Sequence, residues 1–393
     1  MSQKIRDLIF EIHKWSGLAT FLILLVAALT GCILTFRQPL DGWLNPDLFV
    51  ARPAGPALAL PELVDRVEAQ RPAMRVTLVI ARSAAGRASV LEVSPRDPAV
   101  TAPYTQVFAD PATGRILGDR LLKAGWDRRR ILQGVYDLHV RLMAGSAGRV
   151  LLGVTSGVWL ASSVLGFYLT LPRSGPFWRR WRSQWSVAWR ARTPRVMLDL
   201  HRASGLWLFV GVLTVSASGL LLNFYSELSE PLAQALSPAR FVEPAGHAAR
   251  PDARRLGYAQ AIRIAETQAR SDGRPLQLAL ASFDPDADLF RIGFSGSGVR
   301  DYWGLGPVYD YVDAATGVVV AKDDPYRDSL GRGFLRALFP IHSGRMFGWT
   351  TRLYIFLTGI GTAVMAVTGL YVWLRKQKAR ATTTQVKTAQ ARP

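Results

Sequence analysis

Four stretches of the chain stay apolar for long enough to cross a hydrocarbon core of about 30 Å, which takes roughly 20 helical residues. They are Ile9–Phe36, Val150–Leu171, Gly205–Phe224 and Thr351–Leu374, and each predicts a membrane helix. The first lacks a small-residue cleavage site, so it reads as a retained span rather than a removable leader. Between paired spans the pattern changes period. Polar helices are predicted over Leu60–Gln70 and Leu256–Ala269. Alternating segments follow at Val76–Ile80, Ser89–Val93, Tyr104–Phe108, Leu276–Ala281 and Leu289–Phe294. Asp110-Pro-Ala-Thr-Gly114 predicts a turn between Tyr104–Phe108 and Arg115–Leu117, and Asp313-Ala-Ala-Thr-Gly317 repeats it.

The pattern recurs. His13-Lys-Trp-Ser-Gly-Leu18 matches His201-Arg-Ala-Ser-Gly-Leu206 at an offset of 188 (201 − 13). His139-Val-Arg-Leu-Met-Ala-Gly145 matches His342-Ser-Gly-Arg-Met-Phe-Gly348 at an offset of 203 (342 − 139). The second offset also relates Arg71-Pro72 to Arg274-Pro275, Arg149 to Arg352, and Gly166-Phe-Tyr168 to Gly369-Leu-Tyr371. The change places an insertion of 15 residues (203 − 188) around Ser237–Asp252, which holds the unmatched His247.

The expected fold is a polytopic α-helical membrane protein with four transmembrane helices in two tandem repeats, each carrying an inserted α+β module. The expected division is residues 1–36, first helix; 37–138, first module; 139–171, second helix; 172–200, a basic loop. The repeat continues as 201–224, third helix; 225–341, second module; 342–374, fourth helix; and 375–393, a basic tail.

A net charge of +19 spread over a soluble domain would suggest nucleic acid. Here it is concentrated. Arg173, Arg179, Arg180, Arg182, Arg190, Arg192, Arg195 and Arg202 face the single acid Asp199, and the tail carries Arg375, Lys376, Lys378, Arg380, Lys387 and Arg392 with no acid. Short basic loops stay cytoplasmic, so both termini and the middle loop are expected inside and both modules outside, in the periplasm of a Gram-negative host. The charge therefore implies a bilayer as partner and no nucleic acid. Trp178, Trp181, Trp185 and Trp189, spaced 3, 4 and 4 apart, predict one face of an amphipathic interfacial helix.

The single cysteine excludes an intramolecular disulfide, c-type haem attachment and cysteine-held iron–sulfur clusters. If the repeats are related by an axis along the membrane normal, His13 opposes His201 on the inner side and His139 opposes His342 on the outer side. Opposed imidazoles suit the axial positions of two b-type haems. A tetrahedral zinc site would need further ligands that neither pair has. Met143 and Met346, four residues after the outer histidines, leave a His/Met scheme open, with apolar packing as their alternative role. Lys14 and Arg202 are candidates to neutralise haem propionates. Gly17, Gly31, Gly205 and Gly219 share the faces of His13 and His201, either admitting a macrocycle or packing helices. Tyr302, Trp303, Tyr309 and Tyr311 either flank a ligand or fill a small core.

The helix–module–helix layout, the Asp-x-x-Thr-Gly hairpins, the His-x-x-Ser-Gly-Leu helix starts and the Gly-x-Tyr motifs resemble the PepSY-associated transmembrane family over residues 1–376. Within it the chain looks most like the iron-regulated inner-membrane proteins of the ferric siderophore reductase branch. That resemblance implies PepSY-like periplasmic modules and a bacterial inner-membrane location. It implies two haems on His13, His139, His201 and His342, and a ferric siderophore, hydroxamate-type, as substrate. No strand–Gly-x-Gly-x-x-Gly–helix unit occurs in the inward segments, which points to a quinol or another inner-side reductant as electron donor. The competing class is a non-enzymatic binding or regulatory membrane protein accessory to iron uptake.

Overall fold

The computed structural model describes residues 3–51, 55–81, 86–244, 255–274, 277–295 and 304–390, with side chains to residue 379. His247, Tyr302 and Trp303 lie outside the described residues. The helices are α1 (Gln3–Thr35), α2 (Arg37–Leu44), α3 (Pro46–Phe49), α4 (Leu60–Gln70), α5 (Ile131–Arg141), α6 (Gly145–Thr170) and α7 (Phe177–Arg182). There follow α8 (Thr193–Trp207), α9 (Phe209–Asn223), α10 (Glu230–Leu236), α11 (Tyr258–Ser271), α12 (Leu330–His342) and α13 (Trp349–Gln390). The strands are β1 (Met74–Ile80), β2 (Ser89–Pro95), β3 (Gln106–Ala109), β4 (Ile116–Arg120), β5 (Gln277–Asp284), β6 (Leu289–Ser295), β7 (Val308–Asp313) and β8 (Val319–Asp323). The chain divides into a helical unit (Met1–Thr35, Val135–Ser229 and Ile341–Pro393) and a sheet unit (Phe36–Gly134 and Glu230–Pro340).

In the helical unit α1, α6 and α13 are long and apolar enough to span a membrane. The third expected span is broken: α8 and α9 meet at Leu208 with a bend of 71°. Inside a bilayer a freed backbone group needs a partner. The Gly211 N–H finds one in the Tyr354 hydroxyl, 2.9 Å away on α13. Small residues bring the helices together: Cys32 Sγ of α1 lies against Gly359 of α13, Leu208 over Gly361, and the Phe224 ring over Gly153 of α6. Helix α1 packs on α6 and α13, α6 on α9, and α8 on α13.

The second and fourth expected helices also start later than the sequence reading. His139 and His342 end their own helices, α5 and α12. Leu142 and Met143 (52° and 57°) take positive φ before α6, as does its first residue Gly145 (59°), and Gly344 and Gly348 (72° and 88°) precede α13. The tryptophan helix is shorter than its spacing predicted. Helix α7 gives way to a 3₁₀ turn at Ser183–Trp185, and Trp189 lies beyond it, exposed. Ser183 and Ser186 hydroxyls donate to nearby carbonyls (Arg180, 2.7 Å; Ser183, 3.3 Å), a local competition that ends helices.

The sheet unit holds one eight-stranded antiparallel sheet, ordered β4-β3-β2-β1-β5-β6-β7-β8. The two modules expected as separate domains are therefore one. Strands β1 and β5 pair at Leu78↔Ser282, Val79↔Ala281 and Ile80↔Leu280, which removes two exposed edges. Helices α4 and α11 lie over a common core of Leu63, Val64, Val67, Val76, Val79, Leu91, Ile262, Ala265, Ile292 and Val312. The Tyr258 hydroxyl of α11 donates to the Val76 carbonyl of β1 at 2.9 Å. Both hairpins form as expected. Asp110 Oδ1 accepts the Ala112 and Thr113 N–H groups, Asp313 Oδ1 accepts those of Ala315 and Thr316, and Gly114 and Gly317 adopt φ of 72° and 76°. Tyr309 and Tyr311 are buried against Leu280 in a second cluster, the core-filling alternative of the sequence reading. Two buried ion pairs lock the unit internally: Arg120 grips Asp41 through both Nη atoms, and Arg274 donates from Nη2 to both oxygens of Asp310.

Candidate functional site

Within the helical unit the four repeated histidines come together as two couples. The rings of His13 and His201 have centroids 6.2 Å apart with planes at 66°. Those of His139 and His342 lie 6.3 Å apart at 52°. Each couple draws one member from each half of the sequence.

Each ring is fixed at Nδ1. His13 Nδ1–H donates to the Ser162 carbonyl of α6 at 3.0 Å, with Ser162 Oγ at the same distance. His201 Nδ1–H donates to the Met365 carbonyl of α13 at 2.9 Å. At the other couple hydroxyls take this role. Thr30 Oγ1 lies 3.0 Å from His139 Nδ1, and its own proton goes to the Val26 carbonyl at 2.7 Å, so its oxygen accepts. Ser218 Oγ lies 2.9 Å from His342 Nδ1 and donates to Thr214 at 2.6 Å. These partners assign the proton to Nδ1 in all four rings and leave Nε2 as a lone-pair donor.

Each ring also rests on a glycine. A Cβ added at Gly166, Gly369, Gly31 or Gly219 would lie 2.8, 3.1, 3.1 or 3.6 Å from Cε1 of His13, His201, His139 or His342 respectively. Gly31 and Gly219 thus serve the histidines rather than helix packing alone. A Cβ added at Gly205 would meet Met365 Sδ at 3.3 Å, and one at Gly17 would meet nothing within 4 Å.

Two imidazoles bound to opposite sides of one metal ion, each with a metal–nitrogen bond of about 2 Å and a ring centre about 1.1 Å from its nitrogen, place their centroids about 6.2 Å apart. The observed 6.2 and 6.3 Å fit that arrangement. Among the described residues no group of three or more His, Cys, Asp or Glu side chains gathers to hold a metal, so neither couple has the ligands of a tetrahedral zinc site. A pair of imidazoles at this spacing is a donor set that would fit a haem iron.

Other candidates fall elsewhere. Met143 has left the helix of His139 and is exposed, and Met346 sits in the turn before α13, so neither shares a helical face with its histidine. Lys14 pairs with Glu11. Arg202 pairs with the buried Asp199, which also binds Arg195 at 2.9 Å, while Arg202 Nε stays without a partner. Two equivalent arginines stabilise helix ends at the second couple: Arg149 donates to the Asn223 carbonyl and Arg352 Nε to the Thr35 carbonyl at 2.8 Å.

The sequence reading missed the hydroxyl and carbonyl partners. A signal exists: Thr30-Gly31, Ser218-Gly219 and Thr368-Gly369 each place a hydroxyl beside a glycine deep in an apolar run, and Ser162 precedes Gly166 by one helical turn. Residues 10–376 match the family model described as the PepSY-associated TM region. No curated protein matches the chain.

Proposed function

The chain belongs to the PepSY-associated TM region family, and from that premise we propose that it is a di-haem membrane reductase delivering electrons to Fe(III) in a ferric siderophore. The observation that carries this reading is the two histidine couples, each at ligation spacing, with Nδ1 anchored and Nε2 left as donor. A b-type haem held at each couple would supply one-electron redox chemistry.

The chain's own residues contribute positioning. His13 and His201 would hold one group and His139 and His342 the other. Ser162, Met365, Thr30 and Ser218 orient the rings and raise their basicity as ligands. Thr30, the anchor of His139, follows His13 by 17 positions (30 − 13) on α1, which is about 26 Å along a helix axis. That is close to the thickness of a hydrocarbon core, so the couples suit opposite faces of the membrane. The basic 172–200 segment and tail support an inward-facing His13 couple and periplasmic modules in a bacterial inner membrane. Hard oxygen ligands such as hydroxamates hold Fe(III) tightly, and one electron converts it to Fe(II), which they hold weakly. The electron comes from a quinol or another reductant on the inner side.

Optical spectra of protein purified from haem-replete cells, before and after dithionite, test the reading. A Soret band that shifts on reduction, with two haems per chain, is expected. His13→Ala and His342→Ala should each remove one haem. Absence of a Soret band would reject the reductase and leave a PepSY-type binding or regulatory membrane protein.

A further inference from the structure

Strands β4 and β8 are the two outer edges of the sheet. Both leave an Asp-x-x-Thr-Gly turn, yet only one is closed. At β4 the Gln70 side chain, from the last residue of α4, donates Nε2–H to the Gly114 carbonyl at 2.8 Å and accepts the Ile116 N–H at 3.2 Å. One side-chain amide thereby answers two main-chain groups, as a peptide unit of a neighbouring strand does. Arg66, one turn earlier, covers Gly114 and donates to the Thr113 carbonyl at 2.9 Å.

At β8 the apolar Ile264 and Leu256 side chains cover Gly317, but among the described residues neither of these side-chain hydrogen bonds is made. Helix α11 buries Tyr258, Ala261, Ile262 and Ala265 where α4 buries Leu60, Leu63, Val64 and Val67, so the helices align at an offset of 198 (258 − 60). Ile264 then stands in place of Arg66, and Gln268 in place of Gln70. Gln268 Nε2 is drawn off to Asp272 Oδ1 at 3.0 Å. Lys322 holds the Asp272 carboxyl below the ordinary carboxylate range, so it stays ionised and keeps that amide. A groove of about 700 Å³ results, lined by Gln260, Ile264, Thr267, Gln268, Gly317 and Val319. Among the described residues no side chain bonds the Gly317 carbonyl or the Val319 N–H.

We infer that an extended polypeptide segment of a partner protein docks in this groove and adds its backbone to β8 as a ninth strand. The closed edge identifies the ligand chemistry: the amide that Gln70 supplies at β4 is supplied at β8 by the partner's main chain. Arg263, exposed at the groove's rim, selects an acidic side chain on that segment. The inference is independent of the redox reading.

The test uses the full chain in nanodiscs and a capped hexapeptide, Thr-Val-Asp-Val-Thr-Val, read by backbone hydrogen exchange. Saturating peptide should slow exchange at Val318–Val320 by about tenfold or more and leave the β4 edge unchanged. The same peptide N-methylated at alternate residues should give no protection. Thr267→Trp, an exposed position that fills the groove without entering the core, should abolish protection at unchanged melting temperature, and Ile264→Arg, which imposes the Arg66 closure, should abolish it too, at some cost in stability because Ile264 packs on the core. No protection at millimolar peptide, or equal protection by the N-methylated peptide, would overturn the inference.

Discussion

The four glycines under the imidazoles differ in how much room they leave, and the difference is measurable. At Gly166 a methyl group would sit 2.8 Å from His13 Cε1, closer than carbon atoms approach, whereas at Gly219 the distance to His342 Cε1 is an ordinary 3.6 Å. Neither ring can simply slide away, because Nδ1 is tied to Ser162 in one case and Ser218 in the other. Gly166→Ala therefore displaces the His13 ring and costs about 1–3 kcal/mol, the usual range for overpacking. Gly219→Ala requires only that the Ser156 hydroxyl, 3.2 Å away, rotate. Thermal unfolding of the two variants, with haem content measured in parallel, checks the order. A melting temperature lowered more by Gly219→Ala than by Gly166→Ala would contradict the packing described.

At the level of elements, the broken span carries the next expectation. In an unbroken helix the Gly211 N–H would bond the Trp207 carbonyl; here it relies on Tyr354. Tyr354→Phe should destabilise the helical unit by on the order of 1 kcal/mol, the scale of interhelical hydrogen bonds in membranes. An unchanged melting curve would mean another acceptor serves that group. The break also shows why some elements were legible in the sequence and others were not. Helix α4 and the two Asp-x-x-Thr-Gly turns follow from local chemistry, namely hydrophobic spacing, aspartate side chains capping their own turns, and glycine at positive φ. The interruption at Leu208 has no local cause, since leucine is a good helix former. At the break Tyr354 takes the Gly211 N–H and Gly361 accommodates the Leu208 side chain, both more than 140 residues away in sequence. The β1–β5 pairing is likewise non-local, and the alternation of either strand is equally consistent with a module standing alone.

For the whole molecule, the same division of labour recurs in both units. The sheet is joined between β1 of the first half and β5 of the second. Each histidine couple takes His13 or His139 from the first half and His201 or His342 from the second. Matched motifs in the sequence were enough to pair the histidines, because equivalent positions about an axis meet each other. They did not show that the sheet is shared, since an edge strand carries no mark of its partner. It follows that neither half can form a histidine couple or cover its inner strand edge alone. A chain cut in the exposed segment between α7 and α8, near Arg190, provides the test. Residues 1–190 or 191–393 expressed singly should show no low-spin Soret band and should aggregate through β1 or β5. Co-expressed, they should associate through the β1–β5 seam and the α1–α13 and α6–α9 contacts and, on the proposed di-haem reading, recover haem binding. Haem at full occupancy in either half alone would mean that the couples seen here are not the ligand pairs.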